Sequence, residues 1–188
     1  MKKNLKLILG ILLIASVSFG CKKLLDVEFD ADFKADMPVS IAADAEPDSV
    51  STAKNTNQDW YFFSVSKTID PNDNADYNKY ADKIKDITVS TITAKITNLS
   101  KPLSVELHFI VFDVSNSTFV TFFFPVTPVF EGKTFTFIDE DGKFDKIKAM
   151  FKDGHMVETS CAGWTSERGV TFKVETIYGT KMVANPLN

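Results

Sequence analysis

The stretch that decides the fold is Ile87 to Val111, ITVSTITAKITNLSKPLSVELHFIV. Apolar residues take every second position from Ile87 to Val89, and then from Ile92 to Ile96 on the opposite parity. A period of two is typical of a half-buried strand, and the change of parity predicts a β-bulge near Thr91. After a turn, the alternation resumes from Leu103 to Val111. The stretch therefore predicts two strands of antiparallel sheet.

Strand-like segments continue on both sides of this stretch. Six further segments alternate or are rich in aromatic and β-branched residues: 27 to 33, 60 to 65, 119 to 124, 133 to 138, 155 to 161, and 169 to 178 with an extension toward Val183. Pro38 is expected to interrupt the first strand before Val39 and Ile41 extend it, and Pro125 to end the strand from Phe119. Residues 42 to 58 lack apolar periodicity and predict a loop.

Two short helices are predicted in the connections. Asp76 is the predicted N-cap of a helix to Lys85, whose apolar face contains Tyr77, Tyr80, Ala81 and Ile84. The second helix is predicted from Glu140 to Lys152, with Gly154 ending it and a buried stripe of Phe144, Ile147, Lys148 and Phe151. Eight or nine short strands with two small helices predict a mainly β chain, an antiparallel β-sandwich formed by a single domain over residues 26 to 188.

The N-terminus has the form of a secretory signal. Three lysines at positions 2, 3 and 6 precede an apolar run of about eleven residues from Leu7 to Val17. A helix needs roughly 20 residues to cross the bilayer core, and no other stretch is long and apolar enough. Residues 1 to 20 are therefore predicted to be a removed signal peptide.

The segment Val17-Ser18-Phe19-Gly20-Cys21 resembles a lipobox, since small residues precede a cysteine. With the lysines that follow, it resembles the lipoproteins of the Bacteroidota. The resemblance implies that Cys21 carries a thioether-linked diacylglycerol and that its amine is acylated, for example with palmitate. It also implies a tether over 21 to 25 and the membrane as a partner. Lys22 in place of Asp implies the outer membrane, with the periplasmic or surface orientation left open. The alternative is a plain secreted protein with an incidental cysteine.

The charge of the processed chain bears on its partners. Removing residues 1 to 20 leaves 18 Lys plus Arg against 25 Asp plus Glu, a net charge of about −7. Nucleic-acid binding needs clustered cations for counterion release, so we expect no nucleic-acid partner.

Few residues suit catalysis or a cofactor. His108 and His155 are the only histidines, and neither lies in a recognisable catalytic setting. Cys161, the one thiol besides Cys21, is predicted to be buried and inert, and the spacing of these residues fits no zinc site. The acids at 139 to 141 are expected to offset a helix dipole. We therefore expect neither an enzyme nor a cofactor.

Calcium is the metal that the sequence suggests most. Asp70, Asn72, Asn74 and Asp76 place oxygen side chains at alternate positions, like the early part of an EF-hand loop. Ala75 stands where that loop requires Gly, and Ala81 where it requires the bidentate Glu. A solvated turn leading into a helix cap is therefore favoured, and no metal site is expected.

Aromatic residues are the candidates for ligand binding. Trp60, Tyr61, Trp164 and Tyr178 could present rings to a glycan, although the two tryptophans lie near strand ends and could equally plug the sandwich. Adjacent phenylalanines in a strand point to both faces, so at least one face at Phe122 to Phe124 is expected to be covered by the neighbouring helix, the lipid surface or a partner.

Two further resemblances concern the fold and a modification. The helix, the Asp-Ile-Thr-Val strand and the Ile-Thr-Asn turn around Ile87 to Phe137 resemble immunoglobulin-like domains of uncharacterised Bacteroidota lipoproteins. This resemblance implies an immunoglobulin-like sandwich and no catalytic residue. Asp48-Ser49-Val50 matches the short sequon of Bacteroidota O-glycosylation, which makes Ser49 a candidate site beside the alternative of a plain turn.

The functional expectation is a non-catalytic binding or adhesion module for glycan or protein, held at the cell envelope by Cys21. A structural or assembly lipoprotein of the outer membrane is the alternative, and an envelope hydrolase is the remote one. Exposed aromatic rings favour the first function, a bare apolar sheet face the second, and facing acids in a cleft the third.

Overall fold

The computed structural model describes residues 26 to 48 and 58 to 187. The predicted signal peptide 1 to 20, the predicted tether 21 to 25 with Cys21, and the candidate Ser49 lie outside the described residues. The inferences made on them therefore stay predictions.

Nine strands form two antiparallel sheets. The strands are β1 (Val27–Asp30), β2 (Phe33–Ile41), β3 (Tyr61–Ile69), β4 (Ile84–Thr97), β5 (Leu103–Asp113), β6 (Phe119–Val129), β7 (Thr134–Thr136), β8 (Val157–Thr165) and β9 (Val170–Ala184). Sheet 1 has the order β2–β9–β4–β7, with β1 also paired to β9, and sheet 2 has the order β3–β8–β5–β6. The predicted antiparallel β-sandwich is confirmed.

The strand order gives the connectivity within the sandwich. Of the strands β2 to β9, only β5 and β6 follow each other in the chain and also pair; every other connection crosses between the sheets. This is the double Greek-key order of an eight-stranded jelly roll. An immunoglobulin domain pairs several consecutive strands, because its sheets are ABED and CFG. The immunoglobulin-like connectivity that the resemblance implied is therefore corrected to a jelly roll, within the confirmed class of β-sandwiches.

The alternation of the sequence is realised with its bulge. β4 buries Ile87 and Val89 and then Ile92, and its register against β9 shifts between Val89 and Thr91, so the bulge predicted near Thr91 is confirmed. The two proline predictions are wrong. β2 continues through Pro38, and β6 continues through Pro125 to Val129. Both are edge strands, on which a residue without an N–H loses no ladder bond if that side is unpaired.

The first helix is shorter than predicted. α1 spans Ala75–Asn78, and its N-cap is Asn74 rather than Asp76, because Asn74 Oδ1 accepts hydrogen bonds from the backbone N–H groups of Asp76 and Tyr77 at 3.0 and 3.1 Å. A 3-10 turn and then β4 follow, so no helix reaches Lys85.

The second helix, α2, spans Lys143–Lys152. Phe144, Ile147 and Phe151 are buried as predicted, whereas Met150 takes the place expected for Lys148. The Lys148 ammonium instead pairs with Asp86 at 2.9 Å. Within 26 to 48 and 58 to 187, no helix is long and apolar enough to cross a membrane.

The helix α2 shares the core between the sheets. The Phe151 ring stacks on Phe33 at 4.3 Å between centroids and meets the Tyr178 ring edge-on at 5.4 Å. The Tyr178 hydroxyl and Thr159 Oγ1 form a hydrogen bond of 2.6 Å, which satisfies two buried polar groups across the sandwich. This packing holds α2 beside the turn that joins β5 and β6.

Candidate functional site

The outer face of sheet 2 carries four rings in a continuous line, which we call the aromatic row: Phe62, Trp164, His108 and Phe123. Ring centroids lie 5.6 Å apart from Phe62 to Trp164, 5.8 Å from Trp164 to His108, and 4.9 Å from His108 to Phe123. Phe62 is 51% exposed and Phe123 is 55% exposed. The row thus crosses all four strands of the sheet and ends in two exposed phenylalanines.

Strand register places these rings. Phe62 of β3 lies opposite Trp164 of β8, and His108 of β5 lies opposite Phe123 of β6. Directly opposed side chains on one face are within contact distance, and a diagonal neighbour is within reach of a large ring. The contact between Trp164 and His108 is the diagonal one, because His108 itself lies opposite Ala162.

Small side chains leave open space beside the row. The cross-strand pairs Ser64–Ala162 and Ser66–Ser160 occupy the next two positions along β3 and β8. Ser160 Oγ donates to Glu158 at 3.1 Å. The face therefore carries short, partly hydroxylated side chains beside the aromatic row.

Two side chains fix the orientation of the row. Trp164 Nε1 donates to Asp48 Oδ2 at 3.0 Å. His108 Nε2 lies 3.4 Å from Oε1 of Glu106, whose side chain is buried beside it. Holding rings in place before a ligand arrives lowers the entropy cost of binding.

The other three predicted aromatics do not reach this face. Trp60, Tyr61 and Tyr178 are all buried, which is the core interpretation for Trp60. They offer no exposed ring face to a ligand, so Trp164 is the one of the four candidates at the described surface. The expectation that adjacent phenylalanines point to both faces is confirmed, because Phe122 is buried and Phe123 is 55% exposed.

A second polar cluster was missed by the sequence analysis. Asp113 ends β5 and accepts hydrogen bonds from the N–H groups of Ser115 and Asn116, while His155 Nδ1 lies 3.0 Å from Asp113 Oδ2. Burial opposes ionisation of Asp113, but the hydrogen bonds from His155 and from the two backbone N–H groups outweigh it, so the pKa of Asp113 is lowered. His155 is thus a partner of a buried carboxylate, although 42 residues separate it from Asp113 in the sequence.

The remaining candidates have structural roles. Asp70 Oδ1 accepts hydrogen bonds from the backbone N–H and the side-chain Nδ2 of Asn72, and Asn74 caps α1. No group of three metal-binding side chains occurs within the part of the chain that the structure describes. Asp139 accepts a hydrogen bond from Phe144 N at 2.9 Å, which agrees with its predicted role at the helix start. Cys161 is buried, and burial raises the pKa of its thiol.

Comparison with known proteins identifies no family. No family model matches the chain, and no curated protein matches it. Among solved structures, the decameric BFDV capsid protein is similar over 84% of this chain and 99% of its own, with 7% identity and a TM-score of 0.42. A chain of Desmodium yellow mottle tymovirus is similar over 86% of this chain and 85% of its own, with 8% identity and a TM-score of 0.28. The description of the fold accordingly rests on the strand order of the chain itself, and no family is assigned to it.

Proposed function

We propose that this chain is a lipid-anchored protein of the cell envelope that binds glycans, without catalysis, through the aromatic row on sheet 2. The observation that carries the proposal is the exposure of the two end rings of the row beside the short side chains of Ser64, Ser66 and Ser160. A sugar ring presents a face of C–H groups and a rim of hydroxyls. The negative face of an aromatic ring attracts the C–H groups, and short hydroxylated side chains can bond the rim.

The spacing of Glu106 and Glu158 on this face argues against hydrolysis by this pair of acids. Glycoside hydrolysis needs two carboxyl groups about 5 to 9.5 Å apart across the scissile bond. Glu106 lies at one end of the face, and Glu158 lies opposite Phe112 at the other. Six residues along β5 correspond to about 20 Å, since a strand rises about 3.3 Å per residue. These two carboxylates are thus too far apart to act on one bond.

Substitutions in the aromatic row test the binding site. Phe62→Ala and Phe123→Ala each remove an exposed ring, and a ring contact worth about 0.5–1.5 kcal/mol predicts a loss of affinity of about twofold to tenfold. Phe130→Ala is the matched control, because Phe130 is 60% exposed but lies beyond the end of β6, outside the row. The probes are starch, β-glucan, xylan, mannan and peptidoglycan fragments in affinity gels, followed by calorimetry.

Two outcomes contradict the glycan proposal. Retention of none of these polysaccharides by the wild-type protein is one. Equal affinity of Phe62→Ala, Phe123→Ala and Phe130→Ala is the other, since binding would then not depend on the row. Each variant changes an exposed side chain, so melting temperatures within a few degrees of wild type are expected and exclude unfolding as the cause.

The anchor is tested separately at Cys21. Cys21→Ser is expected to leave the protein unprocessed or released, because no acyl chain can then be attached. Metabolic labelling with a palmitate analogue, followed by membrane fractionation, measures this. Equal label on the mutant and the wild type would show that the acyl chain is not on Cys21.

An assembly lipoprotein with a protein partner is the second candidate. It is favoured by Val126, which is exposed on the edge strand β6 close to Phe123 and gives that edge an apolar surface beyond the row. Val126→Lys should abolish co-purification with an envelope protein and leave glycan affinity unchanged if this function holds. If the glycan function holds instead, Phe62→Ala and Phe123→Ala lower glycan affinity, and Val126→Lys changes neither glycan affinity nor co-purification, because Val126 lies beyond the row.

A further inference from the structure

A cavity of about 580 Å³ lies between the β5–β6 turn and α2. Its volume falls within the range of about 300–1,000 Å³ that is typical of small-ligand sites. Ser117 and Thr118 of the turn, Phe119 at the start of β6, and Met150 of α2 form part of its lining. The site thus has an apolar floor and an aromatic ring at its edge.

The polar groups of this cavity divide into a structural and an available set. Asp113 is structural, because its two oxygens accept hydrogen bonds from the turn and from His155. By contrast, the side chains of Ser117, Thr118, Lys146 and Asp153 form no hydrogen bond or ion pair within the described residues, although all four line the cavity. Two hydroxyls, an ammonium and a carboxylate therefore surround the apolar floor with donors and acceptors that a ligand can use.

The strand β6 connects this cavity to the aromatic row. Phe123, Thr121 and Phe119 occupy alternate positions of β6, all three are exposed, and side chains two residues apart lie on one face. Four residues correspond to about 13 Å between Phe123 and Phe119. Phe119 is 64% exposed and also lines the cavity. A chain lying along β6 from the row would meet Phe119 and then the wall formed by α2.

We propose that this cavity is a second carbohydrate subsite, which takes the terminal sugar of a chain lying on the aromatic row. The proposal rests on the proposed function and adds the direction in which the sugar chain lies on the row. Phe119 and the floor at Met150 contact the C–H face of the terminal sugar, while Ser117, Lys146 and Asp153 bond its hydroxyls. The wall of α2 stops the chain, so the cavity favours a chain end over a chain interior.

The test compares the cavity with the row by substitution. Phe119→Ala and Lys146→Ala change the cavity, and the controls are Phe130→Ala and Lys152→Ala, which change the same residue types outside it. The probes are oligosaccharides, from disaccharide to octasaccharide, cut from whichever polysaccharide of the panel wild-type protein binds most tightly. We expect the cavity variants to lose about tenfold in affinity for the oligosaccharides and much less for the long polysaccharide, in which ends are rare.

Each outcome assigns a failure to one proposal. If Phe119→Ala and Lys146→Ala bind the oligosaccharides like their controls while Phe123→Ala does not, the terminal subsite is overturned and the row stands. If all variants bind like wild type, or wild-type protein binds no probe, the proposed function fails first. The methyl signal of Met150 in a methionine-labelled sample adds a readout without substitution. It should shift on addition of oligosaccharide, and a signal that stays in place would contradict occupation of the cavity.

Discussion

Gly163 allows two strands to meet at the centre of the aromatic row. It lies in β8 between Ala162 and Trp164, opposite Leu107 of β5. A Cβ atom at this position would lie 1.9 Å from the carbonyl oxygen of Glu106 and 3.2 Å from the Cα of Leu107. Both neighbours are backbone atoms, so no side-chain rotation relieves the overlap. We therefore expect Gly163→Ala to push β5 away from β8 where Trp164 meets His108.

The cost follows from the displacement. Real Cβ contacts shorter than 3.0 Å essentially never occur, so the Glu106 carbonyl must move by more than 1 Å. Overpacking costs about 1–3 kcal/mol and a weakened ladder bond about 1 kcal/mol more. The smaller entropy of the unfolded alanine chain returns about 0.4–1 kcal/mol. The net loss is about 2 kcal/mol, which lowers the melting temperature of a domain of this size by roughly 4–8 °C.

Gly179→Ala is the matched control in β9. Its Cβ would meet Thr91 Oγ1 at 2.5 Å, which is a side-chain atom that can rotate away. We expect a loss of at most about 1 kcal/mol, and Thr91→Ala should reverse it. Thermal melts followed by circular dichroism measure the wild type, the two glycine variants and the two double variants. The reasoning is refuted if Gly163→Ala melts with the wild type, or if Glu106→Ala restores its stability, since the obstruction would then be a side chain.

Three further predictions concern buried and polar groups. Asp113→Asn should destabilise the protein at neutral pH, because the pKa of Asp113 is lowered in the folded state. The stability that the ionised carboxylate contributes is present above the unfolded pKa of 3.8 and is lost as the pH falls through the folded pKa. Urea unfolding at pH 7 and pH 3 measures this, and an equal deficit at both would contradict it. Burial raises the pKa of Cys161, so a thiol reagent should react with it only after denaturation. Fast labelling of Cys161 in the native protein would contradict the burial of this thiol. Calcium should leave the melting temperature unchanged, because Asp70 and Asn74 already accept backbone N–H groups, and a rise of several degrees would restore the metal hypothesis.

Alternation in the sequence reveals faces rather than partners. The bulge of β4 could be predicted because the buried face must be restored after an extra residue, which the apolar positions on either side of Thr91 record. Its partner β9 could not be predicted, since Thr97 pairs with Lys173 across a long intervening segment. The proline errors have the same origin. A proline ends a central strand and is tolerated on an edge, and the sequence does not state which strands are edges.

The sequence predicted the outward direction of a site residue only where a run of one residue type required it. Phe123 had to point outward because Phe122 and Phe124 flank it in one strand. Trp164 was selected as a large aromatic near a strand end, without its neighbours. Alternation along β5 places His108 on the outer face but links it to no ring, because Trp164 and Phe123 reach it through cross-strand register that the sequence does not contain.

Phe62 is the member of the row that the sequence analysis missed, although the same pattern that identifies Phe123 could have identified it. Tyr61 and Phe63 are buried in β3, so Phe62 between them must face outward, as Phe123 must in β6. β3 and β6 are the two edges of sheet 2, and exposed apolar rings on edge strands invite aggregation. Charged side chains at these two positions would remove that hazard and leave the core intact. Both edges instead carry a phenylalanine that the inner strands connect through Trp164 and His108, which is the arrangement that the proposed binding function requires.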